Sequence, residues 1–509
     1  MHVGRYLQRS GRRHRERPLW LLPDRTIAYD EGASRVGRFT QFLLSLCKQG
    51  DRVALLTSNR FEGLEAHLGV VAAGMVAVPM NPRLHANEHE FIINHSGATI
   101  VVFSSDFREH LSAIQPRLAS VRTWIAIDGA SDGALPYELC LTSMKIDLPE
   151  PVIEPGNSAW LFYTSGTTGR PKGVIQTHRV LITMIEQYLL AVAPTTTTDV
   201  MLHAAPICHG SGSCLFPHVA VGAGNAFLTR FDPESFFDAV ARFRVTATFL
   251  APTMINRLIS SDAAREADTS SLKNVIYGGA PMHVGVLRRA MEAFGPVFVQ
   301  IFGQGESPFT IATLRTDEHV AAIRENRLKH LTSVGRVTPA VEVRIVDDDD
   351  TALPRGKFGE ICVRGDLVMP GYWNDPAASA ETLKGGWLHT GDIGYLDEDD
   401  YLYITDRKKD LIISGGANIY PREVEEVIST HDAVAEVAVI GVADGEWGEN
   451  VKAFIVLRAG KKTDADGIIQ FCKERIASYK KPKFVEFVAD LPKNATGKIL
   501  KRDLRNPTR

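Results

Sequence analysis

The chain has 509 residues, more than one ordinary domain holds, so two to four folding units are expected. Hydrophobic residues make up 44% of it and charged residues 23%, which excludes a collagenous, disordered or multi-span membrane protein. The 57 Lys and Arg against 60 Asp and Glu leave a net charge of −3, so no strongly basic surface marks a nucleic-acid partner. Cys47, Cys140, Cys208, Cys214, Cys362 and Cys472 form no C-x-x-C pair, which favours reduced thiols in a cytoplasmic protein.

The Arg-rich start, GRRHRER at 11–17, is followed by neither a long apolar run nor a small-residue cleavage site. It reads as a first surface helix and not as a secretory signal. Residues 51–56 then predict a buried strand, 61–73 a helix, and 76–79 and 99–103 further short strands. The same rhythm returns at 247–250, followed by a helix from Thr253, and at 274–277. This alternation is that of an α/β fold. Residues 200–229 contain no Asp, Glu, Lys or Arg, but Pro206, Pro217, four glycines and three histidines interrupt any membrane span. That stretch suits a core strand pair or the wall of an internal pocket. The acidic run 347–350, between alternating segments 341–346 and 358–364, reads as a solvated hairpin tip. Residues 407–509 carry 19 basic against 15 acidic residues, a balance of +4, which leaves −7 on the first 406. A mildly basic piece of this size is a small domain, with the polar cluster 406–410 as its linker.

Chemistry concentrates at 163–174, YTSGTTGRPKGV, after an apolar strand at 159–162. Six hydroxyl or glycine residues in a row, Thr164, Ser165, Gly166, Thr167, Thr168 and Gly169, offer backbone amides and hydroxyls to phosphate oxygens, and Lys172 adds a point charge. Pro171 before Lys172 and Gly173 after it rule out the G-x-x-x-x-G-K-[ST] pattern.

This string resembles the phosphate loop of the adenylate-forming superfamily, which includes acyl-CoA synthetases, luciferases and peptide-synthetase adenylation domains. Further matches follow in the family's order: YGGAPM at 277–282, QIFGQGE at 300–306, WLHTGD at 387–392, DRKKD at 406–410 and PKNATGK at 492–498. The resemblance implies an α/β fold: a large multi-sheet N-terminal region, 1–407, that binds AMP and the acyl group, and a smaller mobile α+β domain, 408–509. It implies that residues Thr164 to Gly169, with Lys172, hold the ATP phosphates. Gly279 and Ala280 would lie beside adenine and the acyl group, with Phe302 and Gly303 at the adenine. Glu306, with Thr164, would bind Mg²⁺, while Asp392 and Arg407 would bind the ribose hydroxyls. Lys409 matches the hinge and Lys498 the lysine that drives adenylation. His209, in a Pro-x-x-His-x-x-Gly pattern, would flank the acyl pocket, and Gly415 and Gly416 would line the tunnel for CoA.

The implied reaction makes physical sense of these residue types. A carboxylate attacking the α-phosphate of ATP brings two anions together, so cations and not a general base are needed. Two positions depart from the family pattern: Phe302 replaces a tyrosine, and Gly305 replaces a residue whose side-chain oxygen faces the phosphate. The expected activity is ATP-dependent ligation of CoA to a medium- or long-chain aliphatic or an aromatic acid, with Mg²⁺, ATP and CoA. The expected pocket segments 208–214, 251–254 and 276–279 hold no Lys or Arg to pair a second carboxylate. A basic cluster, Lys480, Lys481 and Lys483, is a candidate for CoA phosphates. Alternatives are an enzyme that loads a free-standing carrier protein, luciferase-type oxygenation, or a nucleotide-binding homologue that has lost catalysis. A cytoplasmic protein without a transmembrane segment is expected, and a homodimer is a candidate assembly.

Overall fold

A computed structural model describes residues 2–129, 133–142, 151–164, 171–280, 282–407, 410–414, 417–445, 447–493 and 499–505. Apolar runs without alternation are what strands covered on both faces require, and two large, mainly parallel sheets are built from them. One has seven strands, in the order Leu135–Pro136, Thr123–Ala126, Ile100–Phe103, Arg52–Leu56, Val76–Pro79, Ser158–Thr164 and Lys172–Thr177. The other has nine. Its central parallel strands are Phe298–Phe302, Asn274–Tyr277, Ala247–Leu250, Val200–His203 and Gly224–Phe227.

One apolar core joins the facing sides of the two sheets. Trp160 from the first and Ile276 and Val299 from the second meet within it, together with Phe216 and Tyr188. The helix Phe61–Ala72 is buried along its whole length here, which explains why its sequence is apolar all round. Separate cores cover the outer face of each sheet. The uncharged stretch 200–229 forms the neighbouring strands Val200–His203 and Gly224–Phe227 and the helix Leu215–Val221, so the absence of charge follows from burial. The helix after Ala247–Leu250 begins at Pro252, one residue before the expected start, because proline's fixed φ suits a first helical turn.

An antiparallel four-stranded sheet follows: Val341–Val346, Gly359–Gly365, Leu388–Leu396 and Leu402–Arg407. Its acidic turn at 347–350 is only partly solvated. Asp350, with φ of 61°, pairs with Lys384 at 2.5 Å and lies 3.6 Å from His389. A last sheet of five strands contains Ile412–Ser414, Ala417–Ile419, Val434–Asp444, Gly448–Leu457 and Phe484–Phe487 around its own core. Of the Arg-rich stretch 11–17 only 11–13 are helical, as the last turn of the helix Arg5–Arg13, which buries Leu7 and Ser10; 14–17 turn towards the first strand. All six cysteines are free thiols. Among the described residues no helix is long and apolar enough to cross a membrane.

Candidate active site

The two strands that flank the hydroxyl-rich loop pair antiparallel, with Thr164 opposite Lys172. Ser165, Gly166, Thr167, Thr168 and Gly169 lie outside the described residues. Lys172 Nζ sits 4.8 Å above the ring of Tyr372, whose hydroxyl donates to Glu306 Oε1 at 2.8 Å. Burial and the Glu306 carboxylate both push the Tyr372 phenol above its ordinary range, so it stays a donor. The Glu306 carbonyl accepts from Met369 N at 2.8 Å, which ties the segment to the next sheet.

Glu306 follows the strand Phe298–Phe302, whose last residue is buried. The chain turns sharply at Gly303, where a Cβ would lie 2.3 Å from Phe309 N. At Gly305 a Cβ would lie 2.8 Å from both Phe162 Cδ1 and Thr164 Cγ2. The volume that a side chain at 305 needs is therefore held by Thr164 and the Phe162 ring. Gln176 Nε2 donates to the Gly305 carbonyl at 3.0 Å and holds this backbone in place.

Gln304, between those two glycines, has a role the sequence reading missed. Its Nε2 donates to Asp392 Oδ2 at 2.5 Å and to the Thr390 carbonyl at 3.1 Å. An amide inside a motif of glycines was the signal available. Asp392 is buried in the strand Leu388–Leu396, directly opposite Arg407 in the ladder. Strand pairing thus brings together the two residues expected at the ribose. Of Arg407, only the backbone is described. Gly391, with φ of 67°, lets the strand bend just before Asp392.

Gly279, with φ of 78°, and the half-buried Ala280 end the turn after Asn274–Tyr277. A Cβ at the preceding Gly278 would lie 2.6 Å from the Ile301 carbonyl, so this turn runs against the strand that leads to Phe302. Tyr277 itself points away into the outer core, hydrogen-bonded to Gln300 and His319. On the inner face, Gly210 accommodates the Phe249 ring, 2.7 Å from where its Cβ would be. Phe249 in turn lies 5.5 Å from Phe309. The ring of His209 stands edge-on to Phe162 at 5.3 Å, and its Nδ1 is 2.9 Å from Cys208 Sγ. Burial lowers the His209 imidazole to about 4, so it is neutral at pH 7. Met254, expected at the pocket, packs against the outer core instead.

Lys409, Gly415, Gly416 and Lys498 lie outside the described residues. The residues flanking 415–416 and 494–498 are paired: Ser414 stands opposite Ala417, and Lys493 opposite Ile499. The expected basic cluster is partly neutralised. Lys480 holds both oxygens of Glu423 at 2.7 Å, and Lys483 contacts Asp444 at 3.3 Å.

Thr164, Lys172 and Glu306 therefore gather at one end of the five-residue segment 302–306, and Gln304, Asp392 and the Arg407 backbone gather at its middle. Around a nucleotide, the first group suits phosphates and the second a cis-diol. Glu306 and hydroxyl oxygens are the hard donors that Mg²⁺ prefers alongside substrate phosphates, so these residues fit that ion.

The AMP-binding enzyme family matches residues 7–373, and the AMP-binding enzyme C-terminal domain matches 423–498. A medium/long-chain-fatty-acid–CoA ligase of Mycobacterium tuberculosis is 34% identical over 99% of this chain and 90% of its own. A feruloyl-CoA synthase of an Amycolatopsis species is 36% identical over 94% of this chain and 93% of its own. The solved structure of the amide bond synthetase McbA from Marinactinospora thermotolerans superposes with a TM-score of 0.90. It is 30% identical, with 99% of each chain covered. With both family regions matched and a relative one-third identical over nearly the whole chain, this chain belongs to the adenylate-forming acyl-CoA synthetase superfamily.

Proposed function

We propose that this protein is an ATP-dependent carboxylic acid–CoA ligase with an N-terminal AMP- and acyl-binding domain, 1–407, and a mobile C-terminal domain, 408–509. The observation that carries this reading is the segment 302–306, which links Glu306 on the phosphate side to Gln304 and Asp392 on the ribose side. In the first half-reaction the substrate carboxylate attacks the α-phosphorus, pyrophosphate leaves, and an acyl-adenylate forms. In the second, the CoA thiol attacks the acyl carbon, gives up its proton, and AMP leaves.

Lys172 and Lys498 neutralise the phosphates, residues 164–169 donate amide and hydroxyl hydrogen bonds to them, and Asp392 with Arg407 holds the ribose. Glu306 and Thr164 would hold Mg²⁺, which supplies charge neutralisation on the phosphates when bound. Gln304 orients the Asp392 carboxylate, and Phe302 presents a ring face to adenine. Rotation at Lys409 then exchanges Lys498 for Gly415 and Gly416, which admit CoA.

His209, Gly279, Phe249 and Phe162 surround the acyl group. Neutral His209 and these apolar rings supply no cation for a second carboxylate, so an aromatic or a medium- or long-chain aliphatic acid fits. The test is pyrophosphate exchange across a panel of carboxylic acids, with mass spectrometry of the product in the presence and absence of CoA. Exchange in wild type, its loss in Lys498→Ala, and a thioester formed only with CoA are expected. An amide, a carrier-bound product, or no exchange with any acid would sink the reading.

A further inference from the structure

Cys208 is buried within the uncharged stretch, in the loop after the strand Val200–His203, and none of the steps above uses it. Its sulfur lies 2.9 Å from Nδ1 of His209. Burial pushes this thiol up to about 12 and the imidazole down to about 4, so at pH 7 the pair is a neutral hydrogen bond and not a thiolate with an imidazolium. A thiol sulfur is a poor acceptor, whereas an unprotonated imidazole nitrogen is a good one. The stronger of the two arrangements has S–H donating to Nδ1, which places the ring proton on Nε2. His209 Nε2 has no hydrogen-bond partner among the described residues, so nothing there demands the opposite tautomer.

Backbone and ring contacts hold the imidazole for this bond. The His209 carbonyl accepts from Gly212 N at 2.9 Å and Ser213 N at 3.3 Å, and His209 N donates to the Pro206 carbonyl at 3.2 Å. The Phe162 ring stands at 79° to the imidazole and limits its rotation. Cys208 also borders a small cavity with Leu55, Thr57, His67, Met80 and Ile207. None of these is an acidic or cationic group that would take the thiol proton at pH 7. His67 there is itself held neutral by burial, at about 3.

We propose that Cys208 is a positioning residue, whose thiol donates to His209 Nδ1 and so fixes the tautomer with an Nε2–H donor available to an oxygen of the acyl substrate. The role of that donor rests on the acyl-pocket reading; the tautomer does not. Both are tested on the full-length chain. ¹⁵N-histidine NMR, with His209→Gln identifying the signal, should show a protonated Nε2 and an unprotonated Nδ1 in wild type and in Cys208→Ser. In Cys208→Ala that preference should be lost. With an accepted acid, adenylation kcat should fall about tenfold in Cys208→Ala at unchanged KM for ATP, and stay within about threefold of wild type in Cys208→Ser, as one hydrogen bond predicts. A protonated Nδ1 in wild type, an unchanged tautomer and kcat in the alanine variant, or a serine variant as impaired as alanine would overturn the proposal. If wild type gives no pyrophosphate exchange, the ligase reading falls, while the NMR signature still decides the Cys208–His209 bond.

Discussion

At position 305 a glycine is a steric requirement of its neighbours. Any Cβ would press on Phe162 and Thr164 at once, so the oxygen-bearing residue the family carries there has no room. Overpacking of this kind costs about 1–3 kcal/mol. Gly305→Thr, although it restores the family pattern, should lower the pyrophosphate-exchange rate about tenfold. Gly305→Thr combined with Phe162→Leu should recover part of it; a single variant as fast as wild type would refute the steric account. Gln304 belongs to the proposed ribose side of the site. Its amide donates to a buried carboxylate, a bond of about 1.5–3 kcal/mol. Gln304→Ala should raise the KM for ATP about tenfold or more, with a smaller change in KM for the acid. Equal rises in both would show a general loss of structure.

Among the elements, the short helix Lys501–Arg505 matters most, because it begins three residues after Lys498. Lys501 reaches Glu425 at 2.9 Å and Asp406 at 3.8 Å, and Arg505 reaches Asp410 at 2.8 Å. Although burial alone would lower it, Glu425 and Asp406 hold the Lys501 ammonium above the ordinary lysine range. Asp406 Oδ2 also accepts from Arg422 N at 3.1 Å, and Arg422 Nη1 donates to the Ile404 carbonyl at 2.7 Å. Asp406 and Asp410 flank the proposed hinge in sequence, so this helix, three residues beyond Lys498, is anchored to both of its flanks. Removing one member of a buried ion cluster is costly, about 3–5 kcal/mol when its partners stay charged. Lys501→Met should therefore move the two half-reactions in opposite directions, read as pyrophosphate exchange against single-turnover acyl transfer to CoA. A uniform decline in both would make the cluster a stability element only.

For the whole molecule, the buried histidines set the response to acid. Burial lowers His67 and His178 to about 3, and His89, His203, His209, His218 and His319 to about 4. Their unfolded value is near 6.5, so above that pH both states are neutral and these groups leave stability unchanged. Between about 6.5 and 4 the unfolded chain takes up protons that the folded chain does not, and stability falls by up to about 1.4 kcal/mol per pH unit for each group. Urea midpoints should hardly change from pH 8 to 7 and then drop steeply from 6.5 to 5. A flat profile across that range would mean these rings take up protons in the folded state.

How much of this could be read without coordinates follows from the range of each interaction. Amino-acid order by itself determined what depends on neighbours along the chain. That includes the strand–helix alternation, the charge-free core stretch, the string 163–174, and the residue types able to meet phosphates, a diol and a thiol. It could not show that Gln304 holds Asp392, because the two are 88 residues apart and meet only when one sheet packs on the next. Nor could it show that Thr164 fills the space beside Gly305, that Glu423 takes up Lys480, or that Lys501 reaches back 95 residues to Asp406. Cys208 and His209 are adjacent, yet their bond depends on burial that lowers one pKa and raises the other, and burial belongs to the fold. Local chemistry is written in the order of residues; which groups are paired, crowded or dry is decided by distant segments packing together.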